Sequence, residues 1–408
     1  MTEGKKTLLL KGNVQHYDWG GTEFIPSLLG IGNKDKKPFA EYWMGAHEKS
    51  SSLVQLTANE FQPLHILIKQ NPNGILGNYV ADKFHRLPYL LKILDVKDML
   101  SIQVHPAKES AEREFERENM EGIPTDAPNR NYKDNNHKPE LIVALSDFWL
   151  LHGFKQHKEL GGVLEKIPEF RSIFERFNKS GLTVLYETIM NMPQHEVNNM
   201  LHPLLQRIIP LYQRGELHRD SEDFWAARAA LNFNKNGLTD RGIFSIYFLN
   251  LLKIIKGEGI FQAIGVPHAY LEGQNVEIMA NSDNVLRGGL TIKHVDVKEL
   301  IKQIHFEETS PVIIRPFQVG TEAIYKTPVS DFQLSYIVIN PKENISFATK
   351  TAEIFFVLKG NAGIFSTDSF LDLKKGQSAI VFADQTIQIK SESGAGIFKA
   401  SVPVPQPG

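Results

Sequence analysis

The chain contains no cysteine. Disulfides, thiolate metal sites and cysteine nucleophiles are therefore excluded, and any metal must be held by nitrogen and oxygen. A chain without disulfides fits a reducing compartment and points to the cytoplasm. An excess of one charge is missing too, since 45 Lys and Arg face 47 Asp and Glu for a net charge of −2. That leaves no global basic field for nucleic acid and no polybasic patch for a membrane. Long apolar runs are also absent. Leu8 to Leu10, beside Lys5, Lys6 and Lys11, is too short for a signal-peptide core. The strongest run, Ile243 to Leu252, is broken by Ser245 and Asn250. It falls well short of the roughly 20 residues that span a bilayer, and it reads as a buried helix. The expected partners are small molecules selected by local sites.

What is present is a soluble chain of 408 residues, 42% hydrophobic and 23% charged, too long for one small core. Residues 1–150 read mostly as short strands and loops. Phe39 to Gly45 is aromatic-rich and ends in Gly, as a strand would. Leu90 to Asp95 and Leu100 to His105 read as two strands paired around a turn at Lys97-Asp98. In the second, period two puts Ser101, Gln103 and His105 on one face. From Pro106 to about Glu118 a charged helix with Glu/Arg pairs is predicted, as a solvated face.

Between Lys155 and Lys256 the periodicity becomes helical. Leu160, Val163, Leu164 and Ile167 follow it, as do Met200, Leu204, Leu205, Ile208 and Ile209. Phe224 to Leu231 is strongly helix-favouring. After Gly257 strands return. Residues 311–408 alternate short apolar segments (Pro311–Ile314, Leu334–Ile339, Glu353–Leu358, Ser378–Phe382) with Gly360, Gly363, Gly376 and Gly394, as in a barrel or jelly roll. Pro403 to Gly408 is a terminus. The predicted fold is mainly β with an α-helical insertion. Residues 1–154 and 257–310 form a discontinuous β domain, 155–256 a helical domain, and 311–408 a C-terminal β domain.

Gln103 and His105, the segment His137-Lys138-Pro139-Glu140, and His268 offer imidazoles, a carboxylate and an amide oxygen. Those donors make a four-ligand set suited to zinc, and also to iron or manganese. A divalent cation with two neutral imidazoles, one amide and one carboxylate leaves the site at +1. Such a centre polarises a carbonyl and stabilises an oxyanion. A carboxylate in place of Gln103 would cancel the charge. Asn281 to Lys293 is a polar loop with a Gly pair, in which Arg287 and Lys293 could bind an anion and Arg287 could stabilise an enediolate. Gly288-Gly289 is no dinucleotide fingerprint. Asn13 to Gly20 could fold over a site.

Gln15-His16-Tyr17-Asp18-Trp19-Gly20, Leu100 to Pro106, His137 to Glu140, Gly265 to Tyr270 and Ser282 to Thr291 resemble, in order and separation, the type I mannose-6-phosphate isomerase family. The resemblance covers essentially the whole chain. It implies two cupin (jelly-roll) domains plus a helical domain, with one Zn2+ on Gln103, His105, Glu140 and His268. It implies reversible interconversion of mannose 6-phosphate and fructose 6-phosphate through a cis-enediol. Arg287 becomes the leading catalytic cation. Lys138, His137, Glu277 and Asp283 match positions for proton handling or ring opening. Ser101, Lys92 and Lys293 match positions for the substrate phosphate. Ala107 departs from the family pattern without touching the metal. The C-terminal β domain, with no His pair near Glu353 to Gly360, is expected to be metal-free.

Two rivals are set against this. A cupin iron oxygenase shares two His and a carboxylate, but Gln103 and the cations Arg287 and Lys293 argue against it. A non-catalytic sugar-phosphate-binding regulator on the same scaffold would tend to lose a ligand or the arginine, and none is lost.

Overall fold

The computed structural model describes residues 5–367 and 369–405, so Gln406 to Gly408 of the Pro-rich tail lie outside it. Its architecture is two antiparallel sheet systems and a block of helices.

The hub of the first system is the 13-residue strand His268–Ala280. Its start pairs with Gln103 and with the strand Phe148–Phe154, and its later part with Tyr89–Val96 and Glu140–Ala144. One strand can serve four neighbours because its register shifts between Tyr270 and Glu272. Gly273 follows, at φ 126°, where a Cβ would lie 2.5 Å from the Asp147 carbonyl oxygen. No side chain fits there, so glycine permits the close crossing. The predicted strand Phe39 to Gly45 is present as Glu41–Gly45.

Leu90 to His105 is not the predicted hairpin. Tyr89–Val96 pairs with Glu41–Gly45 and His268–Ala280, whereas Gln103–Val104 pairs with His268 and with Leu286–Arg287. Period two carries no information about which strand is the partner. The helix Lys108–Met120 forms as expected, but it is not wholly solvated. Glu118 is buried against the buried Arg130, 2.8 Å away.

Helices run from His157 to Phe248. Arg171–Met190 is interrupted at Gly181. Leu160, Leu164, Leu204, Leu205 and Ile208 are buried with Trp225, in a core shared with Trp149, Leu151 and Phe154 of the first sheet system. The run Ile243 to Leu252 is not all helix. Gly242–Phe248 is helical, and Leu249–Ile254 is a strand on Phe148–Phe154. The run is apolar through both halves, buried in the helix and buried or half-buried in the strand up to Leu252, so hydrophobicity alone could not mark the change.

The second system holds Gln333–Ile339, Glu353–Phe365, Ser378–Val381 and Ala395–Ser401. Residues 311–314 form no strand beyond a bridge from Ile314 to Gly259. The first strand, Thr7–Lys11, pairs with Ser378–Val381 and with Leu53–Gln55. The N-terminal segment therefore belongs to the C-terminal sheet and does not stay with the first domain. A mixed core, including Leu8, Leu10, Met44, Leu91, Ile354 and Phe356, fills the space between the two systems.

Candidate metal centre and active site

His105, Glu140 and His268 converge, each offering a ligand atom within 4.8 Å of the others. The strand His268–Ala280 and two of its neighbours place them, with His105 just past the end of Gln103–Val104. His268 lies opposite Gln103 in the ladder, two residues before His105, and Glu140 begins a strand paired with the far end of His268–Ala280. Glu140 Oε1 is 3.4 Å from His105 Nε2, and Oε2 is 3.5 Å from His268 Nε2.

Each imidazole is fixed from behind. His105 Nδ1 is 2.8 Å from the carbonyl oxygen of Asn284, and His268 Nδ1 is 3.0 Å from that of Val266. A carbonyl can only accept, so both Nδ1 atoms carry the proton and both Nε2 lone pairs face inward. His105 Nε2 is buried and makes no hydrogen bond. Burial and the nearby Lys138 push the His105 pKa down to about 4, which keeps the ring neutral. An orphaned lone pair, a second imidazole and a carboxylate that stays ionised are the donor set a divalent cation needs. The residues fit the ion.

Glu140 is buried, which raises its pKa, but Lys138 and His105 outweigh burial and hold it well below the usual range. Lys138 Nζ is 2.8 Å from Glu140 Oε1. Tyr270 Oη donates to Glu140 at 3.0 Å and lies 3.1 Å from Glu277 Oε1. Lys92 is buried 2.8 Å from Glu277 Oε2 and 3.5 Å from Glu41 Oε2. Burial would discharge Lys92, but these carboxylates outweigh it and keep it charged. Burial raises the pKa of Glu277, with Lys92 opposing.

The centre abuts a cavity of about 910 Å³. Gln103, Ser101, Lys92, Lys138, Asp283, Arg287 and Lys293 line it. So do Gln15, Tyr17, Asp18 and Trp19, from the segment expected to fold over a site. Arg287 is directly opposite Gln103 in the strand ladder, so the two side chains share a face. His137 and Glu277 are not on this wall. His137 Nε2 is 2.9 Å from Asp331 Oδ1, just ahead of the strand Gln333–Ile339, and so links the two halves. Asp283 lies 3.2 Å from His47 Nε2 and 2.6 Å from Lys49 Nζ. Burial raises its pKa, but these two groups win and hold it well below the carboxylate range. It is a poor proton acceptor at neutral pH.

Several residues of the site carried no individual signal in the sequence. Glu41 and Tyr270 sat inside segments read only as strand or motif. Asn284 is buried, and its side chain accepts from Lys133 N and donates to the carbonyls of Asp134 and Asn136. Its own carbonyl orients His105. One residue thus ties the metal ligand to the loop before Glu140.

Fold and site together define a protein of two antiparallel sheet systems and a helical block, with a buried nitrogen and oxygen site able to hold a metal, open to a cation-lined cavity of small-molecule size. A family model for the catalytic domain of type I phosphomannose isomerase matches residues 8–157. Mannose-6-phosphate isomerase of Escherichia coli (strain K12) is 36% identical over 383 residues, covering 92% of this chain and 95% of that protein. The Homo sapiens enzyme is 31% identical over 410 residues, covering 92% and 93%. A crystal structure of the Salmonella typhimurium mannose 6-phosphate isomerase, bound to substrate and a zinc atom, matches with TM-score 0.87 at 33% identity. It covers 98% of this chain and 100% of that one. The chain belongs to the type I mannose-6-phosphate isomerase family.

Proposed function

We infer that this protein is a zinc-dependent aldose–ketose isomerase. It interconverts mannose 6-phosphate and fructose 6-phosphate by moving a proton between C1 and C2 through a cis-enediol. The observation that carries the reading is the orphaned His105 Nε2 in a buried His–Glu–His trio, beside a cavity where Gln103 and Arg287 are cross-strand neighbours. Both β units are read as cupin-type barrels, the second without a metal.

His105, Glu140 and His268 would hold the cation, with Gln103 as the fourth ligand. When bound, the ion supplies Lewis-acid polarisation of the sugar oxygens, worth several kcal/mol. Arg287 faces the same space and offsets negative charge on the enediolate. Of the residues expected to handle protons, Lys138 and Asp283 reach the cavity. Lys138 touches Glu140 and is placed to move the proton. Asp283 stays ionised and serves orientation or ring opening. Glu277 acts from behind, holding Lys92 and Tyr270.

The test is turnover of mannose 6-phosphate by purified protein before chelation, after it, and after zinc return. Loss and recovery are expected, with Lys138→Met about 10²–10⁴-fold slower, the usual contribution of a general acid–base group. Folded protein that binds the sugar phosphate without turnover in any metal state would overturn the reading in favour of a regulator.

A further inference from the structure

Lys92 is a poor phosphate anchor in this structure. Its charge is already met by Glu277 and Glu41, and its ammonium also lies 5.1 Å from the Trp43 ring centroid. Three other cations on the cavity wall have no such partners. Arg287, Lys293 and Lys133 make no ion pair with any carboxylate among the described residues, although all three line the same cavity. Asp283, the carboxylate whose field reaches Lys133, is taken by His47 and Lys49.

The three cations sit uneasily together. Burial lowers the pKa of all three. Lys49 and Arg287 add to this at Lys133, with Asp283 opposing, and Arg287 and Lys133 add to it at Lys293. Partly buried like charges held together are unfavourable until a counter-ion arrives. Lys133 is also held in place. Its backbone N–H donates to Asn284 Oδ1 at 2.7 Å, and the same Asn284 orients His105. The main chain that carries this cation is thereby tied to the metal ligand. Arg287 stands between, across from Gln103 on one side and within electrostatic reach of Lys133 and Lys293 on the other.

We propose that Lys133 binds the substrate phosphate, together with Arg287 and Lys293, and that Lys92 takes no direct part. The inference rests on the isomerase reading above. It assigns the outer end of the cavity to the dianion and the Gln103 end to the reacting carbons.

The experiment compares wild type, Lys133→Met and Lys133→Arg in steady-state kinetics, in competition by inorganic phosphate, and in direct phosphate binding by calorimetry. Losing one hydrogen bond to a charged group weakens binding about ten- to a hundredfold. KM for mannose 6-phosphate and the inhibition constant of phosphate should rise together by that factor in Lys133→Met. kcat should change little, melting temperature should hold, and Lys133→Arg should restore most of the loss. Wild-type KM and wild-type phosphate inhibition in Lys133→Met would overturn the proposal. If wild type binds phosphate more tightly than Lys133→Met but turns over nothing, the isomerase reading fails and the anion anchor stands.

Discussion

Asp240 Oδ1 accepts the backbone N–H of Leu290 at 2.8 Å, joining the helical block to the loop that follows Arg287. The same carboxylate accepts Gly242 N at 2.7 Å and Thr291 N at 3.0 Å. Leu290 is buried at φ 53°, a conformation that costs a non-glycine residue of order 1–3 kcal/mol. Gly242 and Gly289 touch here, since a Cβ on Gly289 would lie 2.5 Å from the Gly242 Cα. The helices therefore do more than fill space: they hold the loop that carries Arg287 and Lys293.

Asp240→Ala removes three hydrogen bonds accepted by one charged group. Unfolding should become easier by about 3 kcal/mol, given 1.5–3 kcal/mol for a charged hydrogen bond and incomplete additivity. kcat should fall about tenfold as the Arg287 loop loosens, and Asp240→Asn, which keeps one oxygen, should fall between. Urea unfolding and steady-state kinetics measure both. Wild-type values in Asp240→Ala would show that the loop holds itself.

Charge counting makes a second prediction. The buried group of Lys92, Lys138, Glu41, Glu140 and Glu277 is neutralised to within one negative charge. A divalent cation turns that into one net positive charge, which Gln103 leaves intact and Gln103→Glu would cancel. We expect Gln103→Glu to keep its zinc, measured by elemental mass spectrometry, and to lose about a hundredfold in kcat, as when one electrostatic stabiliser is removed. A variant with bound zinc and unchanged kcat would contradict the charge argument.

The third prediction concerns acid. His152 is buried next to the metal centre, with Nδ1 2.7 Å from Gln262 Oε1. Burial pushes its pKa down to about 4, against the opposing pull of Gln262 and with help from His268. An unfolded histidine titrates near 6.5. Below that value the unfolded chain takes up a proton that the folded protein refuses until about pH 4. The stability from this group is complete above 6.5 and is lost as pH falls through that window. The loss is on the order of 3 kcal/mol. Denaturant unfolding at a series of pH values should show this slope, and His152→Gln should flatten it. An equal slope in both proteins would place the linkage elsewhere.

The sequence by itself determined the chemistry. With no cysteine, a metal site had to use His, Glu and an amide, and period two around Gln103 and His105 put them on one face before any fold was known. Helical spacing marked Leu160 to Ile209, and glycine-punctuated alternation marked the C-terminal strands, because both patterns are local and record which face is buried. Tertiary structure alone decided the partners. Nothing local says that Gln103 pairs with His268 and Arg287 instead of folding back on Leu90 to Asp95, or that Thr7–Lys11 joins the C-terminal sheet. Ladder hydrogen bonds are made by backbone groups that every residue carries. The same holds for the cations. In sequence the family resemblance points to Lys92 and Lys293 for the phosphate, and nothing marks Lys133. Burial between Glu41 and Glu277 satisfies Lys92, whereas the fold leaves Lys133 and Lys293 on the cavity wall with Arg287 and without an ion pair among the described residues.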